Sequence, residues 1–226
     1  MSRAKVSEVF LSIQGEGPYV GIPMIFVRFY GCNLSCSYCD TRLDYSEDVE
    51  PLLLLEKIMD WKNKSCFVSL TGGEPLLEKD FLREFLPLLK NEEFKVYLET
   101  NATLPSHLQE VIDYIDIICA DMKLPTSTNL EPFWKLHEQF LEVCFKCKKE
   151  LVLKAVITPF TQVQDIDFLC EFLKKFNRDF TLVLQPDSTR LDDNLIQKVR
   201  GFQERCLGYL RDVRFIPQVH KLLRLQ

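Results

Sequence analysis

Three cysteines stand within eight positions in the stretch GCNLSCSYCD, at Cys32, Cys36 and Cys39. A disulfide framework, a zinc site and a group needing three thiolates are the alternatives. The chain has nine cysteines and its amino terminus lacks the apolar core of an export signal, so reduced thiols are expected and the disulfide reading ranks last. A structural zinc ion wants four ligands, yet after Cys39 no Cys occurs before Cys66 and no His before His107. A ferredoxin-type cluster also wants a fourth nearby thiolate. Three thiolates on a four-iron cluster leave one iron open, where a small molecule carrying an amine and a carboxylate could chelate. The C-x3-C-x2-C spacing therefore suggests a cluster built for chemistry.

Four further motifs follow apolar runs. TGGEP (Thr71 to Pro75) supplies Gly72 and Gly73, which allow close backbone approach, and Glu74, a carboxylate suited to an ammonium. YLETNAT offers Glu99 and Asn101, ADMKLP offers Asp121 and Lys123, and LQPD offers Gln185. One such residue is readily a cap. Four consecutive strands ending this way suggest a shared pocket at the strands' carboxyl ends, the functional face of barrel architectures.

The elements that must position these residues are short apolar runs, at 24–30, 66–71, 95–100, 115–122, 151–158, 180–186 and 213–219, each read as a buried strand. Helical spacing marks PLLLLEKIMDWK, EKDFLREFLPLLKN, DIDFLCEFLKKFN and DDNLIQKVRGFQERCLGYL between them. Alternation along the whole chain predicts an α/β fold with parallel strands joined by right-handed crossovers. About six or seven strands are too few for a full eight-fold barrel, so an open, partial barrel is expected. The 226 residues are read as one domain, 1–226, with 125–150 a helical elaboration upon it. A net charge of -5 argues against broad nucleic-acid binding. No apolar run approaches the ~20 residues of a spanning helix, so a cytoplasmic protein without membrane contact is expected. Cys66, Cys119, Cys144, Cys147, Cys170 and Cys206 are read as inert buried thiols, the pair Cys144 and Cys147 as ordinary thiols on one helix face, and His107 and His137 as surface helix residues.

The cysteine triplet with Tyr38 before its last member, the GGE motif and the DxK-like Asp121 and Lys123 resemble the radical S-adenosylmethionine superfamily. In that superfamily the open iron binds the methionine part of the cofactor, and an electron from the [4Fe-4S] cluster cleaves it to a 5′-deoxyadenosyl radical. The longer stretch FLSIQGEGPYVGIPMIFVRFYGCNLSCSYCDT, with VRFIPQVHKLL near the end, is similar to the 7-carboxy-7-deazaguanine synthase family over nearly the whole chain. The implied reaction contracts 6-carboxy-5,6,7,8-tetrahydropterin to 7-carboxy-7-deazaguanine with loss of ammonia, in queuosine and deazapurine biosynthesis. The resemblance implies that Cys32, Cys36 and Cys39 ligate the cluster, and that Tyr38, Cys39, Asp40, Gly72, Gly73, Glu74, Asn101, Asp121, Lys123 and Gln185 hold the cofactor. It places Ile13, Gln14, Gly15, Glu16, Arg28, Thr71 and His220 around the pterin, with Arg28, Glu99 and His220 in catalytic positions and Thr41 on magnesium. Arg28 has the planar fork that suits a carboxylate, and Gln14 offers a donor and an acceptor to a pterin-like edge. The plainer readings are a cap for Asp40-Thr41, an ion pair for Arg28 and a structural role for His220. A reductant such as flavodoxin or ferredoxin and a homodimer are further family expectations. The rivals are a glycyl-radical-enzyme activase of the same cofactor class and a non-enzymatic iron–sulfur protein.

Overall fold

The computed structural model describes residues 2–41 and 44–225. Nine strands form one sheet: β1 (Ala4–Ile13), β2 (Pro23–Phe29), β3 (Glu47–Val49), β4 (Phe67–Gly72), β5 (Lys95–Thr100), β6 (Ile117–Asp121), β7 (Glu150–Ile157), β8 (Thr181–Pro186) and β9 (Val213–Phe215). Their order is β3-β1-β2-β4-β5-β6-β7-β8-β9, with β3 and β9 at the two edges, so the sheet stays open. From β2 onward all neighbours are parallel. These seven are the strands expected from the apolar runs, and the partial barrel is as predicted. The antiparallel margin, β1 against both β2 and β3, was not expected. AKVSEVFLSI hides its strand character because the register shifts between Val6 and Glu8, a bulge that breaks the alternation of apolar and polar residues.

The crossovers carry helices α1 (Pro51–Met59), α2 (Lys79–Asn91), α3 (Pro105–Val111), α4 (Pro125–Thr128), α5 (Trp134–Lys146), α6 (Val163–Lys174) and α7 (Asp193–Leu207), and α8 (Val219–Leu223) closes the chain. Local signals set their starts. Pro51 and Pro105 open α1 and α3, where a missing N–H is harmless, and the Asp192 carboxylate accepts from Leu195 N at 2.7 Å to cap α7. The segment 125–150 does contain helices, α4 and α5. Alternate strand residues such as Ile25, Val27, Leu98, Ile118, Leu153 and Leu184 face the helix layer in the main core. The opposite set, Met24, Phe26, Tyr97, Ile117, Cys119, Val152 and Val183, packs in a second cluster on the concave face.

Several side-chain expectations are corrected. His137 is not at the surface: it is 0% exposed in α5, against the rings of Phe133 and Trp134 at 6.4 and 6.0 Å. It shares a buried stripe with Phe140, Leu141 and Cys144, as helical spacing of three, four and seven dictates. His107 is half-buried, with Nδ1 2.8 Å from the Leu76 carbonyl. Of the scattered cysteines, Cys66 is exposed and Cys147 half-buried, while the other four are buried.

Burial pushes the His137 imidazole down to about 4, whereas in the unfolded chain it titrates near 6.5. The folded state resists the proton, so this contribution to stability is complete above about pH 6.5 and is lost as pH falls toward 4. Between pH 7 and pH 5 the protein should lose roughly 2 kcal/mol more than its His137→Phe variant. Urea denaturation of both proteins at the two pH values checks this; equal losses would contradict it.

Candidate active site

The concave face divides along the strands. Toward their amino ends it is apolar, floored by Tyr97, Ile117, Val152 and Val183. Toward their carboxyl ends the same inward parity places Arg28 after Phe26, Glu99 after Tyr97, Asp121 after Cys119, Lys154 after Val152 and Gln185 after Val183. These polar residues line a cavity of about 570 Å³. All of the sequence-predicted site residues border it except Glu74.

The cysteine loop is fixed on two sides. Gly73 N donates to Phe29 O at 3.0 Å, and Glu74 N donates to Gly31 O at 2.9 Å. The glycines are there for this approach: a Cβ on Gly72 would lie 2.3 Å from Phe29 O, and one on Gly73 would lie 1.7 Å from Gly31 O. Gly72 also has φ +119°, in the region that favours glycine. On the other side Ser37 donates through N and Oγ to the carbonyls of Thr128 and Ser127, each at 2.9 Å, docking the loop on α4. Asn101 Nδ2 donates to Asn33 Oδ1 at 2.8 Å. Cys32 and Cys39 are exposed, Cys36 is half-buried, and none is paired. Burial pushes the Cys32 and Cys36 thiols up, and the Lys123 ammonium opposes this at both.

Glu74 does not face the cavity. It is 0% exposed and its carboxylate accepts from Thr100 Oγ1 at 2.8 Å, Asn101 N at 2.7 Å and Leu76 N at 3.1 Å. Here it ties β5 to the glycine turn, and burial, against these bonds, pushes it up to about 7. Lys123 donates to Asp121 Oδ2 at 2.8 Å and to Tyr38 OH at 3.2 Å. Asp121 Oδ1 and Gln185 Oε1 are buried without a hydrogen-bond partner.

The amino-terminal QGEG segment forms the opposite wall. Gln14, 2% exposed, donates from Nε2 to Glu99 Oε1 at 2.9 Å and accepts from Glu16 N at 3.0 Å. Glu99 also accepts from Thr71 Oγ1 at 3.2 Å. Glu16 accepts from Lys154 Nζ at 2.5 Å and Gln218 Nε2 at 2.6 Å. The two carboxylates are driven apart. Burial would raise Glu16, but the Lys154 cation and these bonds hold it at about 2, while burial and the neighbouring Glu16 charge push Glu99 up. Arg28 donates from Nε to Glu8 Oε2 at 2.7 Å and lies over the Phe10 ring at 5.6 Å. The ion pair of the plainer reading therefore exists, and it engages Nε of the guanidinium.

The carboxyl-terminal segment closes over this wall. Val219 N donates to Gly15 O at 2.8 Å, and a Cβ on Gly15 would meet His220 Nδ1 at 2.1 Å. His220 is half-buried; burial pushes it down and Glu16 works the other way. Lys221 pairs with Asp40 at 3.1 Å, joining the tail to the loop that carries Thr41. Residue 226 lies outside the described residues. Sequence reading missed Lys154, Gln218 and Glu8. The lysine alone left a signal, a charge inside the apolar run LVLKAVIT.

The residues present fit a cluster and its nucleotide-bearing ligand. Three unpaired thiols border one cavity that Asp121 and Gln185 also line, each of these two carrying a buried acceptor without a partner. Among the described residues no group of three or more His, Cys, Asp or Glu side chains is placed to hold a single metal ion. Because Gly73 abuts a backbone carbonyl, Gly73→Ala should destabilise the fold by about 1–3 kcal/mol and displace the cysteine loop. Thermal unfolding and iron content after anaerobic reconstitution measure both; an unshifted melt with full iron would contradict the packing argument.

The chain matches the family model of the radical SAM superfamily over residues 26–173. It is 37% identical to a Geobacter sulfurreducens protein named 7-carboxy-7-deazaguanine synthase, over 97% of each chain. A Methanopyrus kandleri protein of the same name is 34% identical, covering 96% of this chain and 92% of its own. Among solved structures, QueE from Escherichia coli matches with a TM-score of 0.68 at 22% identity, over 96% of this chain and 95% of that one. Streptococcus suis SuiB bound to S-adenosylmethionine matches with a TM-score of 0.58 at 20% identity, over 82% of this chain and 44% of that one. The structural matches speak for the fold, and the sequence matches speak for more: the chain belongs to the radical SAM superfamily and, within it, to the 7-carboxy-7-deazaguanine synthase family.

Proposed function

We infer that this chain is a 7-carboxy-7-deazaguanine synthase, converting 6-carboxy-5,6,7,8-tetrahydropterin to 7-carboxy-7-deazaguanine with loss of ammonia. One observation carries the reading. A single cavity has three unpaired thiols on one side and the row Gln14, Glu16, Glu99 and Arg28 on the other. A glycyl-radical-enzyme activase has no use for that row, and a non-enzymatic iron–sulfur protein has no use for the cavity.

Cys32, Cys36 and Cys39 would hold the cluster. The Gly72-Gly73 backbone, Tyr38, Asp40, Asn101, Asp121, Lys123 and Gln185 would seat S-adenosylmethionine. Bound there, cluster and cofactor supply one-electron cleavage and hydrogen-atom abstraction. Asp121 Oδ1 and Gln185 Oε1 offer acceptors for hydroxyl and amino donors. Glu74 orients Asn101 through its backbone N–H, and an ammonium reaching Glu74 would have to compete with that bond.

At the other wall, ionised Glu16 accepts from ring N–H groups and Gln14 presents its amide to the pterin edge. Arg28 takes the substrate carboxylate through its terminal nitrogens. Glu99, raised by burial and by the Glu16 charge, and held by Gln14 and Thr71, lines the same wall as a second carboxyl facing the pterin. His220, packed on Gly15, covers the pterin face. Thr41, on the cavity wall beside Asp40, would give magnesium one hydroxyl, completed by substrate oxygens and water. A one-electron donor such as flavodoxin or ferredoxin and a homodimer belong to this same reading, as does a single domain over 1–226.

Reduced, reconstituted protein given S-adenosylmethionine and the pterin under anaerobic conditions should form the deazaguanine acid, detected by mass, and magnesium should stimulate it. Cys36→Ala should lose cluster and product together. Arg28→Ala should keep the iron content and raise KM for the pterin by roughly 10- to 100-fold. Cofactor cleavage without the acid would favour the activase, and an unchanged KM in the Arg28 variant would remove Arg28 from the carboxylate.

A further inference from the structure

Lys154 stands in the middle of β7, facing the cavity, where an apolar side chain would satisfy the fold. Its ammonium donates to Glu16 Oε2 at 2.5 Å and lies 3.8 Å from Asp121 Oδ2, with only 12% of the side chain exposed. Those two carboxylates belong to different ends of the site. Glu16 lies on the QGEG wall, and Asp121 lies beside Lys123 and the cysteine loop.

The hydrogen-bond inventory is asymmetric. Both Glu16 oxygens are taken, by Lys154 and by Gln218. Asp121 has Oδ2 on Lys123 and Oδ1 buried without a partner. A ring N–H arriving at Glu16 must share or displace one of its present donors. If the ammonium yields, the next carboxylate within its reach is Asp121. A buried cation is not left unpaired at small cost, so it follows the available negative charge. Burial lowers both lysines, but Glu16 and after it Asp121 hold Lys154, and Asp121 holds Lys123, well above the ordinary lysine range. Both therefore stay charged across the neutral range.

We propose that Lys154 is a positioning residue that couples the two ends of the cavity: substrate at Glu16 moves the Lys154 ammonium toward Asp121, which firms the cofactor's seat, so pterin and S-adenosylmethionine bind cooperatively. The proposal rests on the synthase reading. By linkage each ligand tightens the other by the same factor. The same cation bounds the polar cradle between the pterin and the cofactor, so its loss loosens both ends at once.

The test uses the cluster-reconstituted protein without reductant, so that nothing turns over. Equilibrium dialysis measures the Kd of S-adenosylmethionine with and without saturating 6-carboxytetrahydropterin. In the unsubstituted protein the pterin should tighten it by about fivefold or more. In Lys154→Met the factor should fall below about twofold, and Lys154→Arg should restore most of it. Lys154→Met leaves Glu16 buried without its cation, so the double variant Lys154→Met/Glu16→Gln, which removes both charges, guards against misfolding and should be equally uncoupled. Full coupling in either Met-containing protein, or none in the unsubstituted one, overturns the proposal. Adding reductant to the unsubstituted protein separates the two levels. Product with coupling intact in Lys154→Met removes the inference alone, while no product removes the synthase reading and the inference with it.

Discussion

A parallel strand can show the interior of a curved sheet only every second side chain, and this constraint organises the molecule. Along β2, β5, β6, β7 and β8 the outward residues are apolar and anchor the helices. The inward residues change character partway, from Phe26, Tyr97, Cys119, Val152 and Val183 to Arg28, Glu99, Asp121, Lys154 and Gln185. A slip of one residue in any of these strands would exchange an apolar core residue for a polar cavity residue. The fold is thus specified by the same pattern that builds the site, and the apolar floor beneath the polar layer gives the cavity its low-dielectric wall.

Gathering charges there creates a second constraint. Glu16, Glu99 and Asp121 share the cavity with Lys123 and Lys154. Burial disfavours every one of these ions, so each must be matched. Lys123 answers Asp121, Lys154 answers Glu16, and Glu99, bonded to neutral Gln14 and Thr71, is the carboxyl pushed up. The two neighbouring carboxyls are thus shifted in opposite directions, Glu16 down and Glu99 up, by the partners each has. The tail segment from Gln218 to Lys221 is bound to both walls, through Glu16, Gly15 and Asp40, so the cysteine end and the QGEG end are held in register by one strap.

Much of this was legible in the sequence because buried parallel strands read as unbroken apolar runs and because glycines and strand-end acids stand out against them. β1 was not legible: its polar half and its bulge erase the alternation, and only pairing with β2 makes it a strand. The glycine pair stands out in the sequence, but its reason does not, since contact with Phe29 O and Gly31 O joins residues 43 and 42 positions apart in the chain. The sequence offers Glu74 as a carboxylate for an ammonium, whereas the fold encloses it with Thr100, Asn101 and Leu76, a matter of side-chain direction that no motif encodes. His137 and Lys154 could have been found. The first sits on the buried stripe of its helix, and the second shares inward parity with Val152.

The central claim is that one cavity seats the cofactor at the cysteine loop and the pterin at the QGEG wall, face to face. A crystal structure of the anaerobically reconstituted protein with S-adenosylmethionine and 6-carboxytetrahydropterin tests it most directly. The account predicts the pterin carboxylate on Arg28, its ring edge on Gln14 and Glu16, and the cofactor's hydroxyls or amine within hydrogen-bond reach of Asp121 and Gln185. A pterin bound elsewhere, or a cofactor occupying the QGEG wall itself, would contradict it.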